Sequence, residues 1–297
     1  MDAHPVTHMP TLQEAVPPHW RPWLLALALG LLLAAVAEGV VRGWLLRRGY
    51  DWRAAVASLG DAIGRRLLEA LGLSLLAPAV AWAHQHRLTD IALDTPWSWF
   101  MLFLGQELAY YWAHRLSHRV HWFWASHAVH HSPDQLSLMN ALRLGWTGKF
   151  AGNALFVVPL VWLGFSPAAV ALMMGLNLLY QFGLHAPWIP KLGPMEWVFN
   201  TPSHHRVHHA CNPEYLDCNY GGVLIVFDRL FGSLRTERPG LPLRYGLTEP
   251  LHSHNPLVIN LHGWQRLWQA VRAAHGLRQR WRVISGPPGA APKRPIC

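Results

Sequence analysis

Apolar residues fill five stretches of helical length along this chain, with polar punctuation between them. Residues 22 to 41, PWLLALALGLLLAAVAEGVV, carry a single charge, Glu38, near one end. At 1.5 Å per residue a run of this length covers the roughly 30 Å hydrocarbon layer of a bilayer. No cationic region precedes it and arginines follow it, so the pattern predicts a retained span rather than a cleaved signal peptide. Four further candidates lie at about 67 to 83, 97 to 113, 150 to 165 and 167 to 184. The last two are so close that a hairpin dipping into the membrane is the alternative. From residue 185 onward Pro, Gly and polar residues predict a cap outside the membrane, and SGPPGAAPKRPIC at the end reads as a disordered tail. The expected fold is therefore all-α: a multi-pass membrane helix bundle of about four to five spans with a cytoplasmic, histidine-rich helical cap. Its divisions are a tail at 1–21, N-terminal spans at 22–96, a central domain at 97–262, and a C-terminal helix and tail at 263–297.

Composition supports a membrane protein: 52% of the 297 residues are hydrophobic, only 14% are charged, and there are 17 tryptophans. The net charge of +9 comes from arginines spread over several loops, which argues against nucleic acid binding and for a role in orientation. The segment after the first run carries Arg42, Arg47, Arg48, Arg53, Arg65 and Arg66, whereas Arg21 alone precedes it and Arg87 alone lies in 84 to 96. Short basic loops stay cytoplasmic. Five crossings then place residues 114–149 and 185–297 together on the cytoplasmic side, in a bacterial inner membrane. Cys211, Cys218 and Cys297 show no CxxC spacing, so neither a disulfide framework nor a thiolate metal site is expected.

Those two regions hold the histidine clusters. HRLSHRVHWFWASHAVHH sets His114 and His118 four apart, and His127 three and four before His130 and His131; SHHRVHH repeats the second spacing with His205, His208 and His209. Such spacings put each set on one side of a helix. His185 ends the last apolar run, and His204 lies four before His208. Imidazoles without cysteine suit a nitrogen-loving first-row metal, and eight or more exceed what one ion coordinates, so two ions are implied. A redox pair of irons uses the ligands better than structural zinc. A histidine-rich membrane metal transporter or metal-binding protein is the alternative, although transporters place ligands mid-membrane on broken helices.

HRLSH, HAVHHS and HHRVHH, followed by DCNYGG and FDRLFGS, resemble the fatty acid hydroxylase/sterol desaturase superfamily of membrane di-iron enzymes. FNTPSHHRVHHACNPEYLDCNYGGVLIVFDRLFGSL and YGLTEPLHSHNPL are most similar to its alkylglycerol monooxygenase-like branch. The resemblance covers about 97–262 and implies that this is a catalytic domain in which two irons and O2 hydroxylate or desaturate a lipid C–H bond, in an ether lipid, sterol or fatty acyl chain. It implies His114, His118, His127, His130, His131, His205, His208 and His209 as ligands, with His185 a ninth. His204 faces the site only if its helix runs through residue 208. Glu107, inside the third span on nearly the face of His114, is read as support for a ligand, with pairing to another helix as the alternative. Asn219 orients a ligand or water or makes a turn, and Asp217 and Asp228 hold histidines or cap loops. No nucleotide-binding or haem motif is present, so electrons are expected from a separate donor, a pterin or a redox protein. The expected partners are the lipid substrate, the membrane and that donor; the oligomeric state is left open.

Overall fold

The computed structural model describes residue 19, residues 21–71 and residues 76–289. Most of the tail expected at 1–21, the end of the expected disordered tail and residues 72–75 of the span expected at 67–83 lie outside the described residues. Helices carry the architecture; among the described residues extended pairing is limited to two isolated bridges, Phe199 with Leu224 and Ala210 with Tyr245.

Helix α1 spans Arg21–Val40 and continues through a wider final turn, Val41–Leu45. Leu25, Leu29 and Leu33 project from it with more than half of their surface exposed. Its one acidic residue has a partner: the Glu38 carboxylate accepts the Leu138 N–H at 2.7 Å and pairs with Arg42 at 2.8 Å. This ties the end of α1 to the segment beneath the histidines. The basic segment expected to be a loop is mostly helix α2, Trp52–Ala70, opened by an Asp51 carboxylate that accepts the Ala54 N–H at 2.9 Å. Ala54, Ala55, Ala57, Ser58 and Asp61 give α2 a thin buried face, while Val56, Ile63 and Leu67 stay exposed on the other.

Two expected spans are broken. Residues 67–83 divide between the end of α2 and α3, Leu76–Gln85. Residues 150–165 break into α6, Gly148–Ala151, a 3₁₀ turn at Asn153–Val157, and α7, Val158–Leu163. Gly152 sits at φ 91°, which stops the first helix, and Pro159 at the start of α7 lacks the N–H that would continue the preceding turn. The short α3 and α7 pack with α4, Pro96–Arg119, and α8, Pro167–Leu184, around Val80, Leu102, Val161, Val170 and Met173. Among the described residues the helices long and apolar enough to cross a membrane are Pro22–Leu45 and Pro167–Leu184. At 24 residues α4 reaches about 36 Å, but its last turns are polar.

The cap begins where Val120, extended at φ −123° and ψ 119°, breaks α4 from α5, His121–His131. Helix α9 is Pro202–His209, α10 is Val226–Leu230, and α11, Pro256–Ala273, is followed by α12, Gly276–Ser285. Helix α11 crosses α5 so closely at Gly263 that a Cβ there would collide with the Ala125 carbonyl. That crossing clamps the histidine-bearing helix from outside.

Candidate metal centre

Four pieces of chain supply the imidazoles. The end of α4 provides His114 and His118, α5 provides His127, His130 and His131, His185 caps the C-terminus of α8, and α9 provides His205, His208 and His209. Helix α9 is buried along its whole length, unusual for so polar a segment, and only a paired role for its side chains makes that tolerable.

The nine imidazoles fall into two groups. His114, His118, His127, His131 and His208 form one, and His130, His185, His205 and His209 the other, with the potential ligand atoms of each group within 4.8 Å of one another. Each group takes an i,i+4 pair from one of the two helices and a single residue from the other. The pair His127 and His131 of α5 joins His208 of α9, and the pair His205 and His209 of α9 joins His130 of α5. Adjacent histidines thus part company: 130 from 131, and 208 from 209. The groups nevertheless touch, with the rings of His131 and His209 stacked at 4.4 Å and those of His208 and His209 edge to face at 5.2 Å.

Backbone carbonyls orient four of the rings. Nδ1 of His114 lies 2.9 Å from the Tyr220 oxygen, that of His130 2.9 Å from Arg143, that of His185 2.9 Å from Gln181, and that of His208 2.8 Å from Cys218. A carbonyl only accepts, so each Nδ1 is the protonated donor and each Nε2 keeps a lone pair turned inward. Those lone pairs converge: Nε2 of His114 is 3.1 Å from that of His127, His185 is 3.3 Å from His205, and His205 is 3.1 Å from His209. Nε2 of His118, His131 and His208 is buried with no hydrogen-bond partner among the described residues. Each such atom costs about 1–3 kcal/mol if left alone.

Protonation does not relieve the crowding. Burial pushes the imidazoles of His130 and His208 down to about 4 and that of His185 to about 3. Burial, reinforced by neighbouring imidazoles, holds His114, His118, His127, His131, His205 and His209 well below the usual histidine range. Neutral rings with inward lone pairs and unsatisfied nitrogens are a donor set for a metal cation, and the residues fit two such ions. All-imidazole groups select a first-row transition metal.

The other expected site residues stand outside these groups. His204 turns away, its Nδ1 3.5 Å from Thr201 Oγ1 and its Nε2 buried without a partner among the described residues. Glu107 touches no imidazole; its carboxylate accepts the N–H groups of Val223 and Leu224, each at 2.8 Å, and the Asn177 amide. Asn219, at φ 55°, braces a turn by donating to the His204 and Arg235 carbonyls and accepting the Arg235 N–H. Asp217 pairs with Arg119 at 2.9 Å and lies 3.9 Å from His118 Nδ1. Asp228 accepts the Tyr220 and Gly221 N–H groups, each at 2.8 Å, so it holds the loop whose carbonyl orients His114. The four orienting carbonyls carried no sequence signal, because every residue has one. Arg143 left only a weak one: its buried guanidinium donates to Ser58, Ser132 and the Ala54 carbonyl, fixing the backbone that receives His130.

A cavity of about 710 Å³ opens onto His118, His131, His208 and His209. Its walls are mixed: Asp217, Gln269 and the paired Glu249 and Arg266 stand among apolar residues such as Trp124, Leu216, Leu247 and Ala270.

The fatty acid hydroxylase family profile matches residues 99–233. The human alkylglycerol monooxygenase is 35% identical over 294 residues, covering 97% of this chain and 63% of that protein. The ornithine lipid hydroxylase OlsE of Rhizobium tropici is 32% identical over 64% of this chain and 59% of its own length. The human cholesterol 25-hydroxylase is 24% identical over 70% of this chain and 80% of its own. The chain spans less than two thirds of the length of the alkylglycerol monooxygenases it matches, 49% of the Xenopus tropicalis protein and 63% of the human one. No solved structure matches it significantly. Residues 99–233 contain all nine clustered histidines, so the histidine centre lies within a fatty acid hydroxylase domain.

Proposed function

We propose that this protein is a membrane-bound, O2-dependent di-iron lipid hydroxylase. The observation that carries the reading is the pair of buried all-histidine groups, in contact with each other and reached by a cavity. His114, His118, His127, His131 and His208 would hold one iron, and His130, His185, His205 and His209 the other. Bound iron would supply the O2 activation that an unactivated C–H bond requires, with two electrons and two protons from a donor reducing the second oxygen atom to water. The chain's own residues position and shield. Carbonyls of Tyr220, Arg143, Gln181 and Cys218 keep each imidazole in one tautomer and one orientation, the role outer partners play around metal ligands. Burial keeps the imidazoles neutral at pH 7, ready to ligate. Four orienting contacts suit a resident metal rather than a transported one.

The substrate is a lipid, and the names of the relatives favour an ether lipid. Hydroxylation beside an ether oxygen gives a hemiacetal that collapses to an aldehyde and an alcohol. The bundle sits in a bacterial inner membrane with the histidines toward the cytoplasm, and a separate pterin or redox protein delivers the electrons. The test is aerobic incubation of iron-loaded protein with alkylglycerols, fatty acids and sterols plus a reductant, read by mass spectrometry, alongside metal analysis. Two irons per chain and a released aldehyde from the alkylglycerol are expected. One ion or none in folded protein, or no oxidised lipid from any member of the panel, would refute the reading.

A further inference from the structure

The five-histidine group has a second approach, narrower and less polar than the wide cavity. Of the nine clustered imidazoles, eight are buried and His127 alone is half-buried. It faces a smaller cavity of about 270 Å³, whose apolar walls include Leu68 of α2, Trp146, Phe150 and Leu178 of α8. The charged side chains on its lining, Arg65 and Glu69, bind each other at 3.1 Å, so their charges offset one another.

Placement says what this space faces. Leu178 lies six residues before the end of α8 at Leu184, about 9 Å along the axis at 1.5 Å per residue. It sits on a helix apolar and long enough to cross a membrane. Phe150 and Leu178 keep 38% and 45% of their surface exposed. The cavity therefore runs from an apolar outer surface, at the depth where a bilayer's hydrocarbon begins, to an imidazole of the metal centre. Its volume is below the roughly 300–1,000 Å³ of pockets that enclose whole drug-sized ligands. That suits a single flexible chain rather than a sterol nucleus or a polar head. The wide cavity, with Asp217, Gln269 and the Glu249–Arg266 pair in its walls, is the more polar of the two and the less favourable medium for methylenes.

We propose that the cavity at His127 receives one aliphatic chain of the lipid substrate from the membrane. The assignment rests on the lipid hydroxylase reading and specifies it, since it favours a single-chain lipid over a fused-ring one. Gly148 offers a way to fill the space. A Cβ added there meets only Ser126 Oγ, at an ordinary 3.6 Å, so Gly148→Leu places a side chain in the cavity without backbone strain. Leu178→Trp intrudes from the opposite wall.

The experiment is photolabelling of the purified full chain in phospholipid nanodiscs with a 1-O-alkylglycerol carrying a diazirine within its chain. Adducts are mapped by peptide mass spectrometry, and metal is measured on the same samples. Label on peptides containing residues 144–153 and Leu178 is expected. Both variants should keep wild-type metal content and lose that label by about tenfold, equivalent to about 1.4 kcal/mol. Unchanged labelling in both variants, or label confined to residues 246–249 and 262–270 of the wide cavity, overturns the proposal. Labelling needs no turnover. Inactive wild-type protein that still labels 144–153 would thus refute the oxygenase reading while supporting the chain cavity.

Discussion

Replacing Glu107 by alanine should destabilise the fold and lower metal occupancy in the five-histidine group, although Glu107 touches none of its imidazoles. The side chain is 1% exposed, and one of its oxygens accepts both the Val223 and Leu224 N–H groups at 2.8 Å. Those residues lie three and four positions after Tyr220, whose carbonyl receives the His114 Nδ1 proton. Without the carboxylate two buried backbone donors lose their partner, at about 1–3 kcal/mol each, so about 2–6 kcal/mol in all. A domain's whole stability is about 5–15 kcal/mol, so the loop would yield and take its carbonyl off His114. For a chain of this size that cost lowers the melting temperature by about 5–20 °C. Glu107→Gln retains one carbonyl oxygen as an acceptor and should fall between the two. Thermal unfolding in detergent micelles and metal per chain by mass spectrometry read both effects. Wild-type melting and full metal in Glu107→Ala would refute the loop-holding role. Full metal with lost turnover would instead make Glu107 a participant in the reaction.

The two groups should also respond differently to losing a ligand. His185→Ala leaves its group three imidazoles and should lower metal occupancy more than His118→Ala, which leaves four in the other. His204→Ala should keep both ions, and a metal loss equal to that of His185→Ala would show that a ligand lies outside the two groups. Acid should unfold the chelated protein through a defined window. Folded-state values near 4 for His130 and His208 and near 3 for His185 lie below the ordinary histidine value of about 6.5. The unfolded chain therefore binds protons that the folded one does not, and stability is full above pH 6.5 and falls from there toward pH 4. Melting temperatures that stay flat from pH 7 to pH 4.5 would contradict the buried neutral centre. Finally, a reporter fused after residue 90 should be extracytoplasmic and one after residue 240 cytoplasmic; a shared compartment would overturn the proposed orientation.

Much of this protein is written in short-range patterns. Twenty apolar residues with one charge specify α1 because helix rise and hydrocarbon thickness are fixed lengths. Spacings of three and four specify that histidines share a helix side, and the absence of thiolates from the clusters selects the metal class. Residues 67–83 and 150–165 misled for a physical reason: hydrophobic content reports burial or lipid contact alike, and cannot say that Gly152 and Pro159 interrupt a helix that neighbouring helices then cover. The division of nine imidazoles into five and four lay beyond the sequence. His130 and His131 are adjacent in the chain, and only the angle at which α9 meets α5 sends one to each group. The roles of Glu107 and Asn219 were likewise decided by what folded against them, since a carboxylate or an amide reads the same whether it faces an imidazole or a backbone N–H. Ligand type follows from the chemistry of a side chain and can be read locally. Ligand grouping, tautomer and access are set by contacts between residues from four to over a hundred positions apart, such as His185 with Gln181 and His114 with Tyr220, and exist only once the chain has folded.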